Sequence, residues 1–128
     1  MQFDMAKFRD TFFAEAADHL AAIEGLLLRL EGGASDREAF DEIFRSVHSI
    51  KGAAEMFGLA ELSRFAHALE SLLDRLRRGE IEFAPDLLEQ LLQATDLLRD
   101  LVRLANSGAE PPPIDAMLND LARIGSNG

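Results

Sequence analysis

The stretch Phe44-Arg-Ser-Val-His48-Ser-Ile-Lys51-Gly52 holds one of the chain's three histidines and one of its two lysines. In a helix, residues at i, i+3 and i+4 share a face, so His48, Lys51 and Gly52 form one small patch. The imidazole nitrogen is the one good nucleophile there. A helical side chain leans toward the N-terminus, so the residue at i+4 partly covers the residue at i. Gly52 has no side chain with which to cover His48. An interior glycine costs about 1 kcal/mol of helix stability relative to alanine, and what it gives in return is access: His48 is left open to something large.

The elements that must position this patch follow from apolar spacing. A first helix starts after Asp4, a good N-cap, and runs to about Glu31, with Met5, Phe8, Phe12, Ala16, Leu20, Ile23, Leu27 and Leu30 as its buried stripe. His19 sits beside that stripe as a boundary residue. Gly32-Gly33 ends this helix. Ser35 and Glu38 form a capping box for a second helix that runs to about Phe57. Its stripe is Phe40, Ile43, Phe44, Val47, Ile50, Ala54 and Phe57. His48 lies one position past Val47, at the stripe's edge or outside it.

Gly58 reads as the residue after that helix, and a third helix follows from about Leu59 to Arg78. It buries Leu59, Leu62, Phe65, Ala66, Leu69, Leu72, Leu73 and Leu76, and it carries a second, polar line of Ser63, His67, Glu70 and Asp74. The short turn makes the two helices antiparallel neighbours. His48 is about ten residues before Gly58, while His67 and Glu70 are about nine and twelve after it. At equal rise per residue the three side chains reach similar height and can meet across the pair. Arg75, Arg77 and Arg78 read as a solvated basic helix end that suits the helix dipole.

A fourth helix opens at Pro85, carries Leu87, Leu88, Leu91, Leu92, Leu98, Leu101 and Val102, and stops near Gly108. The stiff connector Ala109-Glu-Pro-Pro-Pro leads to a short fifth helix, about Ile114 to Ile124, which must dock to be stable. Gly125-Ser-Asn-Gly reads as the start of a flexible linker. The predicted fold is all-α: one domain, an antiparallel four-helix bundle over about residues 4–108 with a short fifth C-terminal helix over about 114–124.

Composition agrees with that class. Only ten residues are Val, Ile or Thr, and Tyr and Trp are absent, so strands have little to be built from. At 48% hydrophobic the chain can bury a sizeable core. A net charge of −10 leaves no general basic face for nucleic acid. The absence of cysteine removes disulfides and thiolate metal sites. No signal peptide and no apolar run of about 20 residues is present, so no membrane partner is expected and the expected location is the cytoplasm.

His48-Ser-Ile-Lys51-Gly52 resembles the H-x-x-K-G signature of histidine phosphotransfer domains. The likeness extends over Phe8-Arg-Asp-Thr-Phe-Phe-Ala-Glu-Ala, over Phe40 to Leu59, and over Ala66-His-Ala-Leu-Glu70 through Glu80. It points to the N-terminal phosphotransfer domain of CheA-type chemotaxis histidine kinases. The resemblance implies that His48 accepts a phosphoryl group at Nε2 and gives it to an aspartate of a CheY-like or CheB-like response-regulator receiver. It implies that Glu70 is the histidine's acidic partner: accepting Nδ1–H fixes the tautomer and leaves the Nε2 lone pair free. Lys51 would bring positive charge to the arriving phosphoryl oxygens, and His67 has an auxiliary role. Arg45, His48, Lys51, Gly52 and Glu55 would form the partner-facing surface. Glu55, seven residues past His48, either repels the phosphoryl group weakly or helps to choose a partner.

The domain itself is expected to use no cofactor, since ATP and magnesium belong to partner domains, and to be monomeric. It lacks G-x-G-x-x-G and Walker loops, so it reads as a substrate of a separate kinase domain rather than an enzyme. Two rival readings fit the residues less well. A di-iron bundle needs Glu-x-x-His, but Ala16, Arg45 and Arg64 precede the three histidines by three positions. A plain scaffolding bundle explains the leucines but not the glycine beneath His48.

Overall fold

Asp4 opens the first helix by accepting the Lys7 backbone N–H at 3.2 Å. The computed structural model describes residues 4–31 and 36–126. Among these lie α1 (Met5–Arg29), α2 (Arg37–Met56), α3 (Ala60–Arg77), α4 (Pro85–Ser107) and α5 (Asp115–Ser126), with no strand. The N-cap of α2 is Asp36, whose carboxylate takes the Ala39 N–H at 3.2 Å. Gly32, Gly33 and the expected cap Ser35 lie outside the described residues.

The α2–α3 turn fixes the orientation of the two central helices. Gly58 adopts φ 69°, the left-handed conformation that glycine reaches without a Cβ penalty. Leu59 N–H then reaches back to the Ala54 carbonyl at 2.9 Å and Gly58 N–H to that of Glu55 at 3.2 Å, the Schellman pattern. With only Phe57 to Leu59 between them, α2 and α3 must run antiparallel. Pro85 takes the first position of α4, and Gly108 ends that helix.

α1 packs on α2 and α4, and α3 packs on the same two helices, which closes a ring around one core. Phe40, Ile43, Val47, Ile50, Phe65, Leu69, Leu73, Leu91 and Leu98 fill it. α5 rests on the outer side of α3, with Ile114 and Leu121 buried and Asp115 3.6 Å from Arg64. Gly125 and Ser126, expected in a linker, belong to α5.

The start of α1 departs from its periodic stripe. Met5 and Phe8 are about half exposed, whereas Phe13 and Leu26 join the core. The Phe12 ring stacks on Phe57 at the end of α2, and Arg9 donates to the Ala105 carbonyl near the end of α4. Among the described residues the first turn of α1 adds nothing to the buried core. No described helix is long and apolar enough to cross a membrane.

Candidate functional site

Val47 and Ile50 are fully buried and set the rotation of α2 about its axis. His48, about 100° past Val47, therefore emerges with a side chain 60% exposed. Glu70 reaches the same height from α3. It is 9% exposed and is the single charged residue among those described that is buried.

The two meet as the count from the turn predicts. His48 Nδ1 lies 2.5 Å from Glu70 Oε2, and Lys51 Nζ donates to Glu70 Oε1 at 3.0 Å. Both carboxylate oxygens are thereby used. Burial pushes the Glu70 pKa up, but the hydrogen bonds from His48 and Lys51, with the charges behind them, more than offset it and hold it below its ordinary 4.5. An ionised carboxylate can only accept, so Nδ1 carries the ring proton and donates. In the neutral imidazole Nε2 then has its lone pair free, on a side chain that is 60% exposed.

Gly52, one turn further along α2, adds no side chain beside the ring. A Cβ built there meets no atom within 4 Å, so no neighbouring helix requires glycine at this position. Arg45 and Glu55 are exposed on α2 beyond the hydrogen-bonded cluster. His67 sits at its margin, Nδ1 4.0 Å from Glu70 Oε1 and 67% exposed. The Lys51 side chain is only 16% exposed, and its ammonium is engaged with Glu70.

Two neighbours were not singled out as functional by the sequence. The Phe44 ring lies alongside the imidazole, and the Arg77 guanidinium lies over Phe44. Arg77 is thus not the freely solvated helix end expected of it. The signal for Phe44 was its position four residues before His48; for Arg77 spacing alone carried none. Among the described residues no group of three or more His, Cys, Asp or Glu side chains is arranged to hold a metal.

An exposed imidazole, held by one nitrogen on a buried carboxylate, is a presented nucleophile on a helical bundle. Residues 7–123 match the family model described as the Hpt domain, and the chain belongs to that family. It is similar to the chemotaxis protein CheA of Rhizobium meliloti, 42% identical over 105 residues, which are 82% of this chain and 14% of that protein. CheA of Cereibacter sphaeroides is 42% identical over 115 residues, 88% of this chain and 17% of that protein. The chain thus spans about a sixth of the length of these relatives.

Among solved structures it resembles the phosphorylated P1 domain of CheA3 from R. sphaeroides in complex with CheY6. The TM-score is 0.85 at 28% identity, over 96% of this chain and 98% of that one. The solution structure of the histidine phosphotransfer domain of CheA gives a TM-score of 0.78 at 28% identity, over 93% and 92%.

Proposed function

We propose that His48 is the phosphoacceptor of this domain, loaded from ATP by the catalytic domain of a CheA-type kinase and unloaded by a response-regulator receiver. The observation that carries the reading is the Nδ1–Glu70 hydrogen bond beneath an exposed ring. In loading, the Nε2 lone pair attacks the γ-phosphorus, the N–P bond forms, and ADP leaves with the electrons of the broken P–O bond. Nε2 has no proton to lose, because Nδ1 holds it. The positive charge that develops on the ring lies against the Glu70 carboxylate. In unloading, a receiver aspartate oxygen attacks phosphorus and the bonding pair returns to Nε2.

Glu70 orients and polarises the imidazole, Lys51, one turn on from His48, anchors Glu70 and brings positive charge near the arriving phosphoryl oxygens, and His67 is auxiliary. Arg45, Gly52 and Glu55 share the partner-facing surface with His48 and Lys51. Support for a receiver as partner comes from the similar P1 domain, whose structure is a complex with CheY6. On this reading the domain is a carrier and not an enzyme by itself. ATP and magnesium are handled by partner domains, the isolated domain is monomeric, and the setting is cytoplasmic chemotaxis signalling.

The test is incubation with a CheA-type kinase domain and ATP, followed by mass-spectrometric site mapping. The expected label is a phosphoramidate on His48, lost in acid and retained in base. Acid-stable label, or label retained in His48→Gln, assigns the modification to Ser46 or Ser49 and overturns the reading.

A further inference from the structure

The His48 ring is held at one edge by Glu70, yet most of its surface is open, so something must limit its swing about the side-chain torsions. Helical side chains lean toward the N-terminus, which brings His48 back over Phe44, four residues earlier. The two rings are nearly parallel, 11° apart in plane with centroids 6.1 Å apart, within the range of ring pairs. Phe44 is itself only half-buried and sits under the Arg77 guanidinium, whose central carbon is 3.8 Å from the Phe44 centroid. Arg77 is clamped in turn: Nε donates to Asp74 Oδ1 at 2.8 Å, and Nη1 lies 3.8 Å from Asp41 Oδ1. One carboxylate comes from α3 and the other from α2.

We infer that Arg77 is a positioning residue for His48, acting through Phe44. The Asp41–Arg77–Asp74 clamp fixes the guanidinium, the guanidinium fixes the Phe44 ring, and the ring sets the side wall against which the imidazole keeps its Nδ1 on Glu70. The charge of Arg77 is not what matters at the acceptor. Two carboxylates already face it, so it is poorly placed to serve as a phosphate ligand, whereas its flat shape matches the Phe44 ring as an ammonium cannot. This rests on the reading that His48 is the phosphoacceptor.

Two readouts keep the inference and that reading apart. The first needs no kinase: imidazole nitrogen NMR of the unphosphorylated protein reports the His48 tautomer. Arg77→Gln and Arg77→Lys are both expected to lower the Nδ1–H fraction, with the melting temperature nearly unchanged. The second is the loading rate by a CheA-type kinase domain. Both variants should load more slowly by on the order of threefold to tenfold, the shift in side-chain population that loss of a partly exposed cation–π contact permits. The fall should lie in the maximal rate and not in the concentration for half saturation.

Phe44→Leu should reproduce both effects, and Phe44→Leu/Arg77→Gln should be no worse than Phe44→Leu alone, because the two residues act in series. An unchanged tautomer population in Arg77→Gln overturns the inference. So does full rescue of the loading rate by Arg77→Lys, or a strictly additive double variant. Failure of the unaltered protein to be labelled at His48 counts against the acceptor reading alone, since the tautomer measurement still stands.

Discussion

Lys51 and Glu70, 19 positions apart in sequence, are joined by a 3.0 Å ion pair on the carboxylate oxygen that His48 does not use. The two cationic or proton-bearing partners of Glu70 are therefore not equivalent. Against burial, which raises it, both hold the carboxylate pKa below its ordinary value, the hydrogen bond from His48 foremost, but only His48 presents a ring nitrogen to a partner domain.

An order of effects follows for loading of His48. Glu70→Ala removes the acceptor for Nδ1–H and should slow phosphorylation by about 10–100-fold, the range of positioned acid–base groups. Lys51→Met leaves the His48–Glu70 bond in place and should slow it less. Initial rates with a CheA-type kinase domain measure both. Equal rates for Glu70→Ala and the unaltered protein would make Glu70 a bystander.

Stability should carry a signature of the same carboxylate. The Glu70 pKa is lowered in the folded chain from its ordinary 4.5, so the unfolded chain binds the extra proton in that window. Its contribution to stability is fully present above pH 4.5 and is lost as pH falls through the folded value. The melting-temperature gap between the unaltered protein and Glu70→Gln is thus expected to be widest near neutrality and to close on acidification. A gap independent of pH would contradict it.

Gly52 separates stability from function. No atom lies within 4 Å of a Cβ added there or at Gly25 on α1, and neither glycine has positive φ. Glutamine at either site should raise stability by roughly 0.5–1 kcal/mol through helix propensity. Gly52→Gln leans back over His48 and should cut loading sharply, whereas Gly25→Gln should load normally. A destabilised or fully active Gly52→Gln would show that the glycine is there for another reason.

Receiver binding should perturb NMR signals of α2 around Arg45, His48, Lys51 and Gly52, because the aspartate has to reach Nε2. Shifts confined to α4 and α5 would place the contact elsewhere. Added divalent metal should leave the spectrum of the isolated domain unchanged.

Much of this site could be read before any coordinates. The apolar intervals of α2 and α3 fix which way each helix faces, and a turn as short as Phe57 to Leu59 turns a count along the chain into a height in space. That is enough to bring His48 to Glu70. What periodicity does not contain is how far a stripe stays covered: Met5 and Phe8 continue the α1 pattern yet are about half exposed. Nor does it choose between adjacent cap formers: Ser35 and Asp36 are both suitable types, and the side chain on the Ala39 N–H is that of Asp36. The stack of Arg77 on Phe44 depends on how a long side chain bends, and spacing does not describe that.

The imidazole has one edge closed and one edge open. On the proposed reading, donor and acceptor must therefore use the same nitrogen from the same side, and they cannot be aboard together. Such a carrier runs by alternation: each visitor has to depart before the next can begin, and ping-pong kinetics follow. Slow release of either visitor would then hold up the other, so a receiver that kept this face too long would act as an inhibitor of the proposed kinase partner.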